Sequence, residues 1–288
     1  VSPSLHAADP IRIQTDVPYL KPDRTEKLDL YLPATRAKDA PLAPALVWIH
    51  GGGWIKGTKS EARAVEICST LAEAGYVAVS IDYRLGAGAW PQNLLDCKNA
   101  VRYLRANAAQ FGLDPARIAV AGGSAGGHLA LMVAYTAGQA DLEPTQPYPD
   151  HSGAIRCVID MYGITNIQSR VKTDAKGQPT SEQPNSGSSL SVFNVPALTD
   201  PLLKLGSPVT HITPASPPTL ILHGRADATV DYLQAEELAR VLQQNNVPHQ
   251  LHLIDGIGHT FAFQTWGKKK LPQDLRPLVF AFLGQHLR

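Results

Sequence analysis

The sequence predicts an α/β protein in which a doubly wound, mostly parallel sheet forms a single domain. Short apolar runs without polar alternation recur along the chain, and such runs are typical of strands covered on both faces. Between these runs, apolar residues recur at steps of three and four, which indicates amphipathic helices. Strands and helices therefore alternate, as they do in a sheet with helices on both sides.

The first two extended segments, 11–14 and 28–32, predict an antiparallel portion at the start of the sheet. In the second segment Leu28, Leu30 and Leu32 alternate with polar residues, which predicts a half-buried strand. The unbroken apolar runs that follow predict covered strands at 45–49, 77–81, 118–121, 158–161, 219–222 and 251–254.

The clearest helical pattern covers residues 92–111, where Leu94, Cys97 and Val101 begin an apolar face. Pro91 suits the first helical position and Gly112 suits the end of a helix. The same spacing predicts further helices at 60–74, 231–245 and 277–287, and one that begins just after Gly126.

Residues 165–207 interrupt this alternation with a stretch rich in serine, glycine and proline. Loops of this length are uncommon in compact domains and are often functional. Two interpretations remain open: a lid or specificity insertion within the single domain 1–288, or a plain surface insertion.

Composition excludes several classes of partner. The chain has 26 Lys and Arg against 25 Asp and Glu, so no overall charge attracts it to nucleic acid or to an anionic membrane. No apolar run approaches the ~18 residues that a membrane-spanning helix needs.

Three widely spaced cysteines predict buried free thiols instead of a disulfide framework or a zinc site. Residues 5–9 could end a signal peptide, although a cloning boundary explains the first residue equally well.

A serine lies in the sequence Gly122-Gly-Ser124-Ala-Gly126, between a predicted strand and a predicted helix. This G-x-S-x-G pattern is typical of a sharp turn that exposes a nucleophilic hydroxyl at the end of a strand. The alternative is a glycine-rich turn whose serine only caps the helix.

Three glycines follow the first covered strand, in His50-Gly-Gly-Gly53-Trp54. Their main-chain N–H groups are unobstructed and could stabilise the oxyanion of a tetrahedral intermediate. We expect the donors to be Gly52, Gly53 and Ala125, the last being the residue after the nucleophile. A phosphate-binding loop is the competing interpretation, but no Lys-Ser/Thr pair follows the glycines.

Serine needs a base, and the base needs an orienting acid. His259 lies in a glycine-flanked loop after the strand at 251–254, and Asp227 follows the strand at 219–222. We therefore predict Ser124, Asp227 and His259 as a catalytic triad. Asp231 and Asp255 remain as alternative acids. We expect His128 to be structural and His223 to order a loop.

These motifs resemble those of α/β-hydrolase esterases of the hormone-sensitive-lipase-like group, and the bacterial feruloyl-esterase-like (BD-FAE) branch most closely. The resemblance rests on HGGGW, GGSAGGHLA, HGRADATV and GIGHTF in this order, and it covers residues 11–287. It implies an α/β-hydrolase fold and a carboxylesterase that needs neither a cofactor nor a metal. It also implies short-chain or aromatic acyl esters as substrates, such as acetyl or feruloyl groups on plant polysaccharide, and hence a periplasmic or secreted location.

Four aromatic residues near the motif ends are candidates for substrate contact: Trp54, Tyr83, Tyr162 and Phe261. Core packing explains each of them at least as well. Two other functions remain open beside the esterase. One is an amide hydrolase of the kynurenine-formamidase or peptidase type, and the other is a non-catalytic binding protein on the same scaffold.

Overall fold

The computed structural model describes residues 10–34 and 40–287, so the segment at 5–9 lies outside the described residues. Within them, eight strands form one sheet: β1 (Arg12–Pro18), β2 (Lys27–Leu32), β3 (Ala43–Ile49), β4 (Val77–Ile81), β5 (Leu113–Gly123), β6 (Cys157–Met161), β9 (Thr219–Gly224) and β10 (His249–Ile254). Their order across the sheet is β1-β2-β4-β3-β5-β6-β9-β10. Two separate hairpins contain β7 (Val171–Thr173) with β8 (Pro179–Pro184), and β11 (Thr265–Trp266) with β12 (Lys269–Lys270).

The strand directions confirm a mostly parallel sheet with an antiparallel start. Strand β2 pairs antiparallel with both β1 and β4. All the pairings from β4 through β3, β5, β6 and β9 to β10 are parallel. The carboxyl ends of the parallel strands therefore lie at one edge of the sheet, where α/β proteins place their sites.

The expectation that β2 is half-buried is wrong. Leu28 and Leu30 are fully buried on one side of the sheet, and Tyr31 is 2% exposed on the other. The second face is covered because Ile67, Cys68 and Leu71 lie in the same buried cluster as Tyr31. The exposed side chains lie on β1, where Ile13 is 48% exposed.

Helices cover both faces of the sheet. Those of the parallel core are α1 (Ala62–Glu73), α2 (Gln92–Ala106), α3 (Ala108–Phe111), α4 (Ala125–Tyr135), α7 (Leu233–Gln244) and α8 (Arg276–His286). Buried residues of α1 and α8 pack on one face, and those of α2, α4 and α7 pack on the other. Cys68, Cys97 and Cys157 are buried and free, as the sequence predicts.

The helix predicted at 92–111 is divided in two. It ends at Ala106, and the side-chain amide of Asn107 donates to the carbonyl of Tyr103 at 2.8 Å. A single further turn, α3, ends at Gly112, whose φ of 64° is left-handed. Pro91 precedes the first helical residue instead of occupying that position.

The insertion at 165–207 is folded onto the domain. It contains the hairpin β7–β8 and two short helices, α5 (Ser189–Phe193) and α6 (Pro201–Leu205). Val192, Phe193 and Leu203 are buried in the main core. Among the described residues, no helix is long and apolar enough to cross a bilayer.

Candidate active site

Ser124 occupies a strained turn between β5 and α4. Its φ is 59° and its ψ is −122°, a conformation that non-glycine residues rarely adopt. The main-chain N–H of Ser124 donates to the carbonyl of Met161 on the neighbouring strand β6 at 2.9 Å. The side chain is therefore presented at the carboxyl end of the sheet, directly before the N-terminus of a helix.

The neighbouring glycines are required by close backbone contacts. A Cβ atom at Gly122 would lie 2.2 Å from the carbonyl oxygen of Gly126. One at Gly126 would lie 2.0 Å from the carbonyl oxygen of Ile49, on the strand that leads into the glycine loop. No side chain fits at such distances, so the turn packs directly against that loop.

The glycine loop lies beside Ser124 and lines a cavity of about 450 Å³ with it. Gly52 and Gly53 have φ values of 105° and 63°, which glycine adopts without strain. Both border the cavity, as do Ser124 and His259. Ala125 is fully buried directly behind the serine, at the first position of α4.

The structure brings the three predicted triad residues together. His259 Nε2 is 2.9 Å from Ser124 Oγ, and His259 Nδ1 is 2.6 Å from Asp227 Oδ2. These are the distances of hydrogen bonds, so one continuous chain joins hydroxyl, imidazole and carboxylate. Trp266 Nε1 donates to the main-chain carbonyl of His259 at 3.1 Å. This hydrogen bond restrains the loop that carries His259.

The two alternative acids have other partners. Asp231 Oδ2 accepts a hydrogen bond from the main-chain N–H of Val171 at 3.1 Å. Asp255 Oδ1 lies 3.0 Å from the Nε of Arg225 in a surface ion pair. Of the three carboxylates, Asp227 is therefore the one that contacts His259.

The environment of Asp227 keeps its carboxyl group ionised. Burial alone would raise the pKa of Asp227, but hydrogen bonds from His223 and His259 outweigh it and hold the pKa well below its usual value. The main-chain N–H groups of Thr229 and Val230 also donate to Oδ1, at 2.8 and 2.9 Å. A carboxylate held in this way can orient an imidazole and stabilise its protonated form.

The four aromatic candidates lie behind the cavity wall. Trp54, Tyr83, Tyr162 and Phe261 are each at most 1% exposed, and none of them borders the cavity. Tyr83 donates to the carbonyl of His50, and Tyr162 donates to the carbonyl of Phe261. The structure thus shows these tyrosines as supports for the glycine loop and the histidine loop.

His128 lies in the same supporting layer. Its Nδ1 accepts from Trp54 Nε1 at 3.2 Å, and its Nε2 lies 2.7 Å from the carbonyl oxygen of Gly206. Burial lowers the pKa of His128 to about 4. The side chain is fully buried and packs in the core, as we expect for a structural histidine.

Sequence patterns did not reveal several residues of the site. Lys56, Glu61 and Arg63 line the cavity beside Thr229 and Thr260, so its wall is partly charged.

The insertion at 165–207 also reaches the site at two places. Thr173 Oγ1 donates to the carbonyl of Asp227 at 2.8 Å, and Ser188 Oγ donates to the carbonyl of Gly53 at 2.7 Å.

Among the described residues, no group of three or more His, Cys, Asp or Glu side chains is placed to hold a metal ion.

The fold and the turn around Ser124 define a protein of the α/β-hydrolase class. The family model described as BD-FAE matches residues 28–242, and the chain belongs to this family. The resemblance seen in the motifs is therefore confirmed.

Several similar proteins are named as esterases or carboxylic ester hydrolases. The chain is 31% identical over 268 residues to the "Probable carboxylic ester hydrolase LipM" of Mycobacterium tuberculosis, covering 87% of this chain and 58% of that protein. The chain thus spans a little over half the length of this curated relative.

Two solved structures share the fold along most of their length. A "Truncated form of carbohydrate esterase from gut microbiota" has a TM-score of 0.69 at 26% identity, over 88% of this chain and 91% of that one. A butyrate-bound thermophilic esterase of Thermogutta terrifontis has a TM-score of 0.74 at 27% identity, over 96% of this chain and 94% of that one.

Proposed function

We propose that the protein is a serine carboxylic ester hydrolase that acts through an acyl-enzyme on Ser124. The observation that supports this most directly is the chain of hydrogen bonds from Ser124 through His259 to Asp227, at 2.9 and 2.6 Å. Family membership supports it independently, because the chain is similar to carboxylic ester hydrolases along most of its length.

In the proposed reaction each residue has one role. Ser124 Oγ attacks the ester carbonyl carbon while His259 Nε2 takes the hydroxyl proton. The N–H groups of Gly52, Gly53 and Ala125 stabilise the negative oxygen of the tetrahedral intermediate. When that intermediate collapses, His259 gives its proton to the leaving alcohol and an acyl-enzyme remains. Water then attacks the acyl-enzyme by the same steps, releasing the acid and restoring Ser124.

For the substrate, we propose short-chain or aromatic acyl esters such as acetyl or feruloyl groups on plant polysaccharide. The cavity of about 450 Å³ holds a small acyl group. One structural neighbour is titled a carbohydrate esterase and another is titled with bound butyrate. The charged wall formed by Lys56, Glu61 and Arg63 suits a hydroxyl-rich alcohol better than a long alkyl chain. For such a substrate we propose a location in the periplasm or outside the cell, which fractionation of the native host tests.

The deciding experiment compares wild-type protein with Ser124→Ala on p-nitrophenyl acetate. We expect hydrolysis to fall by at least about 10³-fold in the variant. A serine-reactive fluorophosphonate should label the wild type at Ser124. Activity retained in the variant would mean that another group is the nucleophile and would overturn the proposal.

A substrate panel then separates the esterase from the alternatives. It contains acetylated xylan, methyl ferulate, p-nitrophenyl esters of increasing chain length and N-formylkynurenine. We expect turnover of the esters and little of the formamide. Faster cleavage of N-formylkynurenine would favour an amide hydrolase, and no turnover together with no fluorophosphonate labelling would favour a binding protein.

A further inference from the structure

A second histidine contacts the carboxylate of Asp227. His223, near the end of β9, is fully buried. Its Nε2–H donates to the carbonyl of Val230 at 2.9 Å, and the same nitrogen is 3.4 Å from Asp227 Oδ2. Oδ2 is also the oxygen that His259 contacts at 2.6 Å. The imidazoles of His223 and His259 therefore share one carboxylate oxygen.

The loop after β9 fixes this arrangement. The main-chain N–H of Val230 donates to Asp227 Oδ1 at 2.9 Å, while its carbonyl accepts from His223. Asp227, Val230 and His223 thus form a closed triangle of polar contacts. Loss of the His223 imidazole would remove two of the three sides of this triangle. The carboxylate would then be held by the N–H groups of Thr229 and Val230 on Oδ1 and by His259 on Oδ2, with less restraint on its orientation.

Packing alone does not account for a histidine at this position. Within the part of the chain that the structure describes, the buried Nδ1 of His223 has no hydrogen-bond partner, and an unsatisfied buried polar atom lowers stability. An apolar side chain would avoid that penalty. The contact made by Nε2 with the acid loop is the feature that an apolar residue could not reproduce.

We propose that His223 is a positioning residue for the reaction, which holds Asp227 in the orientation that His259 requires. This inference rests on the proposed function, because it assigns His223 a role through the triad acid. His223 does not line the cavity, so its effect on the reaction passes through Asp227.

The charges around His223 are consistent with this role. Asp160 faces it from β6, and Asp231 and Asp227 face it from the loop after β9. Arg170 of the insertion interacts with Asp227 and Asp231, and its Nη2 donates to the carbonyl of Thr229. Burial would lower the pKa of His223, but the contacts with Asp227 outweigh it and raise the pKa above its ordinary value. Any positive charge on His223 thus supports the ionised form of Asp227.

The test replaces His223 by leucine and by glutamine. His223→Leu removes the donor, and we expect kcat to fall by about 10- to 100-fold with little change in KM. In His223→Gln the amide nitrogen lies near the former Nε2, so this variant should recover most of the lost rate. His211→Leu is the matched control, because His211 Nε2 also contacts a carbonyl oxygen, that of Leu205, in a different part of the fold. We expect its kcat to equal that of the wild type.

A double-mutant cycle distinguishes positioning from a general effect on folding. In the Asp227→Asn background, His223→Leu should lower kcat no further, because the residue through which it acts is already lost. Equal losses in both backgrounds, or a glutamine variant as slow as the leucine variant, would overturn the inference.

The rate at which a fluorophosphonate labels Ser124 provides a readout that does not depend on the natural substrate. We expect His223→Leu to slow labelling and His223→Gln to restore it. Normal labelling in His223→Leu would overturn the positioning role while leaving the serine mechanism intact. Failure of the wild type to label would instead contradict the proposed function itself.

Discussion

Ser188 Oγ donates a hydrogen bond to the main-chain carbonyl of Gly53 at 2.7 Å, across 135 positions of the sequence. This contact links the insertion at 165–207 to the glycine loop. The bonded carbonyl belongs to the peptide that follows Gly53. The hydrogen bond therefore helps to fix the glycine loop in its left-handed conformation. The same insertion reaches the other end of the site through the bond from Thr173 to the carbonyl of Asp227.

We predict that Ser188→Ala lowers kcat by about fivefold, which corresponds to the loss of one ordinary hydrogen bond. KM should change less, because the cavity wall keeps its shape. Steady-state kinetics on p-nitrophenyl acetate measure both constants. Ser191→Ala provides the control, since Ser191 is exposed on α5, the helix that begins directly after Ser188, and its main-chain carbonyl accepts from the N–H groups of Gly88 and Asn194. If both variants behaved alike, the bond to Gly53 would have no role in the reaction.

Gly52→Ala should abolish activity. A Cβ at Gly52 would lie 2.0 Å from the carbonyl oxygen of Lys56, so the loop would have to move. Gly86→Ala is a matched control, because Gly86 has a φ of 101°, close to the 105° of Gly52, and nothing lies within 4 Å of the added Cβ. Both variants have similar backbone strain, but only the first has a steric clash. Hydrolysis rates and thermal unfolding should therefore separate them, and equal losses of activity would show that strain alone is responsible.

Asp227→Asn should lower kcat by about 10³- to 10⁴-fold, because an amide in place of the carboxylate favours the wrong tautomer of His259. Asp231→Asn should have a much smaller effect, since Asp231 Oδ2 accepts from the main-chain N–H of Val171 and it is Asp227 that contacts His259. Turnover of the two purified variants measures the difference. A larger loss in the Asp231 variant would reverse the assignment of the acid.

Much of this architecture could be predicted from the sequence because the parallel strands are covered on both faces. Such strands have unbroken apolar runs, and β4 at Val77–Ile81 matches its predicted range at both ends. The break between α2 and α3 was missed because the apolar spacing continues through Asn107. The hairpin β7–β8 was missed because its strands are short and partly exposed, so no alternation marks them.

The same limit applies to the active site: short motifs identify some of its residues, but contacts between distant parts of the chain are not visible in the sequence. Ser124, Asp227 and His259 were found because each lies in a short motif at the end of a strand. The roles of Ser188 and Thr173 depend on contacts with distant parts of the chain. Sequence order alone does not reveal such contacts, and the polar composition of the insertion gave no indication of which hydroxyl would reach the site.

A last prediction concerns stability instead of rate. Asp160 is fully buried on β6, and burial raises the pKa of its carboxyl group to about 7. Between pH 4 and 7 the folded protein keeps a proton that the unfolded chain has released, so this group lowers the free energy of unfolding as the pH rises. Below pH 4 both states are protonated, and above pH 7 the destabilisation is complete. Asparagine cannot ionise and is free of this effect.

We therefore expect Asp160→Asn to gain stability relative to the wild type as the pH rises from 4 to 7, by roughly 4 kcal/mol, because a shift of about three pKa units corresponds to about 1.4 kcal/mol per unit. Urea unfolding at pH 4.5, 6 and 8 measures the difference in unfolding free energy. Asp174→Asn should show no such gain over these pH values, because hydrogen bonds from the main-chain N–H groups of Gln178 and Lys176 lower the pKa of Asp174 and its titration therefore lies below pH 4. Its ionised form contributes stability that is lost as the pH falls below 4. A difference between Asp160→Asn and wild type that is constant with pH would show that Asp160 titrates in the folded protein as it does in the unfolded chain.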